Sequence, residues 1–398
     1  MTTLELSIMA HSHDAAADIK SILAPFEARN RLTVKVSVLS WETGWTELVK
    51  YALYGHGPDV SEIGSTWVSN LAATNALRSF TARDTAAIGG QSAFLPPSWQ
   101  SCFLTGESDM WAVPWLSNVR FIYYRQDLLK QAGIDEATAF QTHAQFEQTL
   151  SQLQAAGISM PWIVPTRNTV NTLHTSAIWV WGAGGQFTDS KGLRTAFNAP
   201  AARSGFKNYF GLHRFMPPTA RNLDTEQAEQ LFLQGHAAVT VSDPGLLYTF
   251  QRDEALSQVR ANVRTALPPG VPFVGGSNLV FWKHSRQEKL AAELIRFLMT
   301  KDVQSVYSQR ARSLPVRLDA LANPPFSSDP LYRPIVEGSR IGRAYTASRM
   351  WGLIEDKLIA ELNSMWAELF AQPELDLDKS IAEHMGSLSE RLDTTLSR

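Results

Sequence analysis

The sequence contains almost no cysteine, since Cys102 is the only one among 398 residues. A single thiol can form neither an intramolecular disulfide nor a zinc site built from several thiolates. A membrane-spanning helix requires a run of about 18 apolar residues, and the chain contains no such run. Disulfide scaffolds and spanning helices are therefore excluded, and cysteine usage leaves the redox compartment undecided.

Neither sign of charge is in excess, because 36 basic and 38 acidic residues give a formal net charge of -2. Binding to nucleic acid or to an anionic membrane surface normally requires a positive field, so we expect no nucleic-acid partner. The start of the chain, Met1 to Ala10, carries Glu5 within its apolar stretch and has no basic segment. It therefore resembles neither a secretion signal nor a lipoprotein anchor.

Recognisable catalytic motifs are missing. The chain has no Gly-x-Ser-x-Gly elbow, no phosphate-binding loop and no His-Glu-x-x-His, and Cys102 has no identifiable catalytic setting. We therefore expect a binding protein without enzymatic activity or cofactor. The enzyme alternative is a glycoside hydrolase, because two carboxylates about 5 to 9 Å apart across a cleft can cleave sugars.

Tryptophan is the abundant residue, with 12 copies, and the chain is 44% apolar. Tryptophan is bulky and is often retained where a flat apolar face meets a polar ligand. The length favours two domains, and we find no repeat of fixed period and no low-complexity tract. No flexible linker is visible either, which suggests domains joined by more than one strand.

The first part of the chain alternates strand and helix patterns. Leu4 to Met9 predicts a strand, and a helix follows that Pro25 should bend or shorten. Residues 32 to 38 alternate apolar and polar side chains, and Val60 to Ile63 is a short strand before a helix predicted from Trp67 to Leu77. Such alternation is typical of a mostly parallel sheet covered by helices.

The later part of the chain has fewer clear periods. Residues 110 to 124 have the composition of an extended segment broken by Pro114, and a capping box at Thr142 opens a helix. Trp179 and Trp181 alternate as in a strand, so one of them should pack in the core.

The segment Pro58-Asp-Val-Ser-Glu-Ile-Gly-Ser-Thr-Trp67 resembles the family 1 extracellular solute-binding proteins, which include maltose-, trehalose- and glycerophosphodiester-binding proteins. The resemblance continues in order over essentially the whole chain. Its further segments are Val113-Pro-Trp-Leu-Ser-Asn118, Tyr123-Tyr-Arg-Gln-Asp127, Gly182-Ala-Gly-Gly185, Phe197-Asn-Ala-Pro200, Phe232-Leu-Gln-Gly-His-Ala-Ala-Val239, Gly275-Gly-Ser-Asn278 and Leu314-Pro-Val-Arg317.

This resemblance implies an α/β fold, a two-lobe periplasmic-binding-protein-like clamp with crossover hinge strands and a C-terminal helical region. The first lobe is expected to comprise 1–116 plus 264–314, and the second lobe 117–263 plus 315–398 with the C-terminal helices. The resemblance also implies a monomer in the periplasm or at the outer face of the cell. Such a protein holds a sugar or polyol in its interlobe cleft and delivers it to the membrane permease of an ABC-type importer.

A neutral sugar offers weakly apolar C–H faces and a rim of hydroxyls, so its binder needs an aromatic platform and polar partners. Trp41 and Glu42 follow a strand at its C-terminal end, where open α/β sheets place ligands. Ser65, Thr66 and Trp67 follow the next strand and start a helix. The plainer interpretations are a surface anchor for Trp41 and a helix cap for Ser65.

Further candidates are expected around the second lobe. Trp115 and Asn118 lie where the family carries an aromatic residue and often an acid, which Asn118 replaces here. Trp181 is a candidate if it, rather than Trp179, faces the cleft. Asp243 follows a predicted strand at its C-terminal end, although a plain turn explains it equally well.

The last candidates combine glycine, serine, arginine and tryptophan. Gly275 and Gly276 would let the backbone approach a ligand beside Ser277, unless they only form a tight turn. Arg343 lies shortly before the Trp351 helix, where family members place an arginine whose rigid fork suits hydroxyls or a phosphate. A cluster with Arg340 and Arg349 slightly favours a phosphate-bearing ligand, but a neutral sugar remains the first choice.

His11 and His13, followed by Asp14, have a spacing compatible with a metal ion if the first strand continues. We count both histidines among the candidate solute contacts. A clamp for ferric or zinc ions is therefore the main alternative function. No third ligand can be identified in sequence, so no metal is assigned.

Overall fold

The computed structural model describes residues 2–252 and 254–396. The chain forms two compact units. Unit 1 contains Met1–Asn118, Val274–Asp329 and Ala344–Gly352, and unit 2 contains Val119–Phe273, Pro330–Arg343 and Leu353–Arg398. The chain passes between the units five times, in agreement with the absence of a flexible linker. Within the described ranges, no helix is both long enough and apolar enough to span a bilayer.

Unit 1 is built from β-strands and α-helices that come from both sides of the unit 2 sequence. In chain order they are β1 Thr2–Met9, α1 Ala15–Asn30, β2 Leu32–Leu39, α2 Gly44–Tyr54, β3 Val60–Gly64, α3 Val68–Ala73, β4 Leu77–Arg78, α4 Ala82–Ala87, α5 Pro96–Gln100, β5 Val113–Val119, β10 Val274–Trp282, α13 Glu288–Leu298, α14 Lys301–Arg310, β11 Leu314–Pro315 and α15 Leu318–Leu321. The last residue of β5 already belongs to unit 2.

The unit 1 strands form one seven-stranded sheet in the order β11-β5-β10-β3-β1-β2, with β4 also paired to β10. β1 is parallel to both β2 and β3, as the alternation of strands and helices predicted. β10 is antiparallel to β3, with Ser277 opposite Gly64. The carboxyl ends of β1, β2 and β3 therefore lie at the same edge of the sheet.

Three local predictions for unit 1 need correction. α1 continues through Pro25 to Asn30, because its buried face of Ile19, Leu23 and Phe26 packs on the core. The helix expected from Trp67 is the short α3, which ends at Ala73 before β4. Pro114 does not interrupt the extended segment but is the second residue of β5.

Unit 2 contains the remaining elements. They are β6 Phe121–Arg125, α6 Gln126–Gln131, α7 His143–Ala155, β7 Trp162–Ile163, α8 Val170–Gly182, α9 Pro200–Phe210, α10 Thr225–Leu233, β8 Val239–Ser242, α11 Gly245–Arg252, α12 Ser257–Asn262, β9 Val263–Ala266, α16 Arg333–Ile341, α17 Trp351–Ala371 and α18 Leu377–Leu396. The first two residues of α17 belong to unit 1.

The unit 2 sheet has four strands in the order β7-β8-β6-β9. Only β7 and β8 are parallel, whereas β6 is antiparallel to both β8 and β9. The Thr142 hydroxyl accepts a hydrogen bond from the Gln145 N–H at the start of α7, as the capping motif predicted. The helical C-terminal region is also present, as α17 and α18.

Trp179 and Trp181 lie on the helix α8 and not on a strand. Trp179 packs on Trp162 and Tyr209 in the core of unit 2, with ring centroids 6.0 and 5.5 Å apart. Residues two apart on a helix also point to different faces, so the expectation that one tryptophan enters the core is met by Trp179. The strand assignment failed because an unbroken apolar run has no distinguishing period.

The division into units differs from the expected lobe ranges at three places. Residues 264–273 belong to unit 2, because β9 pairs with β6 up to Ala266. Residues 315–329 belong to unit 1, where Leu314 and Pro315 pair with β5. The segment Ala344–Gly352 is also part of unit 1.

Candidate functional site

A buried carboxylate lies at the centre of the strand ends of unit 1. Glu62 belongs to β3 and is fully buried. Its Oε2 accepts a hydrogen bond from the Met9 N–H over 2.9 Å, and its Oε1 lies 2.6 Å from Nε2 of His11. The Ser277 hydroxyl of β10 donates to the same Oε1. The end of β1 and the start of β10 thus both contact this acidic side chain of β3.

An aromatic row of His11, Trp41, Trp67 and Trp45 adjoins this carboxylate. The ring of His11 meets Trp41 edge-on with centroids 5.6 Å apart. Trp67 lies between Trp41 and Trp45, at centroid distances of 5.7 and 5.5 Å. Trp41 is 41% exposed, whereas Trp45 and Trp67 are partly buried against the core. The exposed ring of the row is therefore Trp41, which lies between His11 and Trp67.

The turn after β3 positions Trp67. Ser65, Thr66 and Trp67 form one turn of 3-10 helix whose N-cap is Gly64, so Ser65 is not the cap of this turn. Gly64 lets the indole lie against the backbone, because a Cβ there would be 3.2 Å from the Trp67 ring. Glu42 is exposed beside Trp41. Among the predicted candidates that follow β2 and β3, Trp41 and Trp67 thus meet.

The two histidines predicted as solute or metal contacts have different surroundings. His11 faces the buried Glu62, with only 12% of its side chain exposed, whereas His13 and Asp14 are exposed in the turn that follows. Across residues 2–252 and 254–396, no group of three or more histidine, cysteine, aspartate or glutamate side chains is arranged to hold a metal ion.

Trp115, Gly275 and Gly276 do not join the aromatic row. Trp115 is 1% exposed and stacks on Tyr307 at 5.0 Å, so its ring lies in the unit 1 core and offers no face to a ligand. Gly276 has a φ of +133°, and a Cβ there would be 2.1 Å from the Leu116 carbonyl oxygen. The glycine pair accordingly serves strand packing in unit 1, with Gly275 itself buried.

Asn118 and Trp351 occupy the ends of unit 1 segments. Asn118 is half-buried and is the last residue before the chain enters unit 2. Trp351 is buried and stacks on Tyr345 at 4.4 Å. Arg349 forms an ion pair with Glu107 at 2.7 Å within unit 1, whereas Arg340 and Arg343 belong to unit 2.

Trp181 and Arg343, predicted separately, meet in unit 2. The Arg343 guanidinium carbon lies 5.2 Å from the centroid of the Trp181 ring, and Nη2 donates to Oε1 of Gln186 over 2.8 Å. Phe273 stacks on the same indole at 6.2 Å. Partial burial lowers the pKa of Arg343 from its usual value. Trp181 is 5% exposed, so the guanidinium rather than the indole is the accessible group.

A second polar cluster in unit 2 surrounds Asp243, directly after β8. Arg120 lies 3.5 Å from the Asp243 carboxylate and donates to Oδ1 of Asn171 over 2.5 Å. The Ser242 hydroxyl donates to Glu229 of α10. Burial, and next the negative charge of Asp243, raise the pKa of Glu229 to about 7. Asp243 therefore belongs to a charged network and not only to a turn.

Three acidic or basic residues of these clusters were not among the sequence candidates, namely Glu62, Arg120 and Glu229. Glu62 had a readable signal, since it is the charged side chain of a short predicted strand that lies between Val60 and Ile63. Arg120 likewise interrupts the apolar run that enters β6. Glu229 has no comparable signal, because it lies among polar residues of a surface helix.

Comparison with solved structures shows the class of fold. The sugar-binding protein MalE of Xanthomonas citri matches with a TM-score of 0.84 and 21% identity, over 100% of this chain and 98% of that chain. A solute-binding protein of Thermotoga lettingae bound with α-D-tagatose matches with a TM-score of 0.81 and 18% identity, over 100% of both chains. The chain thus has the two-lobe fold of periplasmic binding proteins.

The family follows from the sequence comparison. The family described as bacterial extracellular solute-binding protein matches residues 21–334, and the chain belongs to this family. A Brucella abortus protein named as a binding protein is 21% identical over 79% of this chain and 76% of its own length. The diacetylchitobiose binding protein of Streptomyces coelicolor is 22% identical over 69% of this chain and 64% of its own length.

Proposed function

We propose that this protein is the solute-binding component of an ABC-type importer, that it captures a sugar or polyol outside the cytoplasmic membrane, and that it delivers this solute to a membrane permease. The observation that carries the proposal is the exposed Trp41 ring beside the hydrogen-bonded His11 and Glu62. An exposed indole can stack on the C–H face of a sugar ring while the polar groups at its edge meet hydroxyls.

The comparisons support the sugar in this proposal. The similar proteins of Xanthomonas citri, Thermotoga lettingae and Streptomyces coelicolor are described as binding a sugar, tagatose and diacetylchitobiose respectively. In unit 2, the Arg343 guanidinium with Gln186 and the network of Arg120 with Asp243 supply further groups suited to hydroxyls. A capture protein of this kind works as a monomer without a cofactor and releases its solute chemically unchanged.

The first experiment is a calorimetric titration of the wild-type protein with a panel of mono-, di- and oligosaccharides and polyols. We expect at least one of them to bind and to raise the melting temperature, because a ligand that binds only the folded state stabilises it. The bound sugar should be recovered intact after incubation. Formation of a cleaved product would instead support the hydrolase alternative.

Trp41→Ala should weaken binding of the sugar found in the panel about five- to tenfold, because loss of stacking costs roughly 1 to 1.5 kcal/mol. Tyr54→Ala is the matched control, since Tyr54 is an exposed aromatic residue of unit 1 that stacks on His56 outside the aromatic row. Equal effects of the two substitutions, or a panel without any binding, would contradict the proposed function.

A further inference from the structure

Glu62 is buried, and its partners determine which hydrogen-bonding role it has. The Met9 N–H can only donate, and it lies 2.9 Å from Oε2. The Ser277 hydroxyl donates to Oε1. An ionised carboxylate is purely an acceptor, so it satisfies both of these donors, and a further hydrogen bond between Oε1 and His11 requires His11 to be the donor.

His11 meets this requirement only with its proton on Nε2. Nε2 lies 2.6 Å from Oε1 of Glu62, which is within hydrogen-bond distance, and an unprotonated Nε2 would place two acceptors against each other. A neutral imidazole has one N–H and one lone pair, so a proton on Nε2 leaves Nδ1 as an acceptor. The partner at one nitrogen thus sets the chemistry of the other.

Nδ1 of His11 makes no hydrogen bond to any residue in the ranges 2–252 and 254–396. The side chain is 12% exposed, and its ring lies edge-on to the exposed Trp41. A sugar that stacks on Trp41 therefore brings its hydroxyl rim toward an imidazole acceptor. Hydroxyl groups can donate to such an acceptor, whereas the carboxylate that fixes the ring is itself fully buried.

We propose that Glu62 is a positioning residue of the solute site, which holds His11 in the Nε2–H form so that Nδ1 accepts a hydrogen bond from a solute hydroxyl next to Trp41. This inference rests on the proposed function and adds a specificity to it. The solute must carry a hydroxyl donor beside the face that stacks on Trp41. A deoxy or fluoro analogue that lacks this donor should bind about tenfold more weakly, since a neutral hydrogen bond is lost.

The direct test is nitrogen NMR of wild-type protein labelled with ¹⁵N in its histidine rings, at a pH where the imidazole is neutral. We expect a protonated, pyrrole-like signal for Nε2 of His11 and an unprotonated, pyridine-like signal for Nδ1. A protonated Nδ1 in the neutral ring would overturn the proposal. This measurement needs no sugar, so it separates the failure of this inference from the failure of the proposed function.

The second test is a double-mutant cycle on the affinity for the sugar found in the panel. Glu62→Gln offers the ring a carboxamide that can donate as well as accept, so the tautomer is no longer fixed and Kd should rise about tenfold. In the His11→Ala background, Glu62→Gln should change Kd less than twofold, because Glu62 acts through His11. The proposal would be overturned if Glu62→Gln raised Kd by the same factor in the wild type and in His11→Ala.

Control experiments distinguish the positioning role of Glu62 from a loss of folding and from a change in surface charge. Glu47→Gln changes an exposed acidic residue of α2 that pairs with Lys50, and it should leave both Kd and the His11 signals unchanged. Circular dichroism and the melting temperature establish that each variant is folded. If Glu62→Gln does not fold, the wild-type NMR signals still decide between the two tautomers. Wild-type protein that binds no sugar would contradict the proposed function, while those signals decide on Glu62 alone.

Discussion

At the scale of single residues, two acidic side chains with different partners have different roles. Glu62 accepts from the Met9 N–H of β1 and the Ser277 hydroxyl of β10 in unit 1, whereas Glu229 of unit 2 lies near Asp243 and accepts only from Ser242 among its described neighbours. Glu62 thus has a hydrogen-bond donor at each carboxylate oxygen. Glu229 instead has a neighbour of the same sign, and burial together with that neighbour raises its pKa to about 7.

The raised pKa of Glu229 predicts how stability depends on pH. Between the ordinary pKa of 4.5 and about 7, the unfolded chain ionises this carboxyl while the folded protein keeps the proton. This group therefore lowers the free energy of unfolding as pH rises through that interval, and the change ends above about 7. Its size is at most about 3 kcal/mol, from roughly 1.4 kcal/mol per pKa unit.

Glu229→Gln should remove this pH dependence of the free energy of unfolding. The wild type should therefore lose more stability than the variant between pH 5 and 8. Urea unfolding curves across this range measure the difference. Glu390→Gln, an exposed residue of α18, is the control and should follow the wild type. Parallel profiles of the wild type and Glu229→Gln would show that the carboxyl titrates normally.

The residue scale is also where the sequence predicted least. His11, Trp41 and Trp67 were candidates and do meet in the structure, because each follows a strand at the same edge of one sheet. Trp115 was a candidate by its place in the chain, but side chains on opposite faces of a strand differ in burial and its ring enters the core. Spacing along the chain fixes neither such orientation nor the distant partner Ser277.

At the scale of elements, periodicity identified the structures with a clear apolar pattern. β1, β2 and β3 follow the predicted strand patterns, and α7 starts at the predicted cap. α8 was mistaken for a strand because its residues from Thr172 to Trp181 are nearly all buried, which removes the helical period. α3 ended early because β4 pairs with β10, a strand far along the chain.

Gly276 shows how one element depends on another. Gly276 has a φ of +133°, a conformation that residues with a side chain rarely adopt. A Cβ at this position of β10 would also lie 2.1 Å from the Leu116 carbonyl oxygen, so there is no room for a side chain. Gly276→Ala should therefore lower the free energy of unfolding by about 3 kcal/mol, from the backbone strain and the steric overlap together. Urea unfolding monitored by circular dichroism measures this loss.

Gly55→Ala separates the two contributions. Gly55 ends α2 with a φ of +62°, and a Cβ there meets nothing within 4 Å. Only the left-handed strain of about 1 kcal/mol should remain. A Gly276→Ala loss no larger than that of Gly55→Ala would mean that β5 moves away at little cost.

At the scale of the whole molecule, the sequence predicted two bodies joined by several chain segments, and the structure has five passages between its units. The exact division depends on pairings between distant segments, such as β9 with β6, which no local pattern reveals. Pairing between distant segments also places β10 between β5 and β3 in the unit 1 sheet. Unit 1 therefore depends on a strand that is encoded after most of unit 2.

This topology predicts which fragments can fold. A fragment of residues 1–118 lacks β10 and should not unfold cooperatively, because two strands that β10 normally joins are left with unpaired edges. Joining 1–118 to 274–329 through a short glycine-serine linker restores all seven strands of the sheet and should restore a cooperative urea transition by circular dichroism. Cooperative unfolding of 1–118 alone would show that the β1, β2 and β3 layer is self-sufficient, and the strand β10 would then be an addition to unit 1 and not its centre.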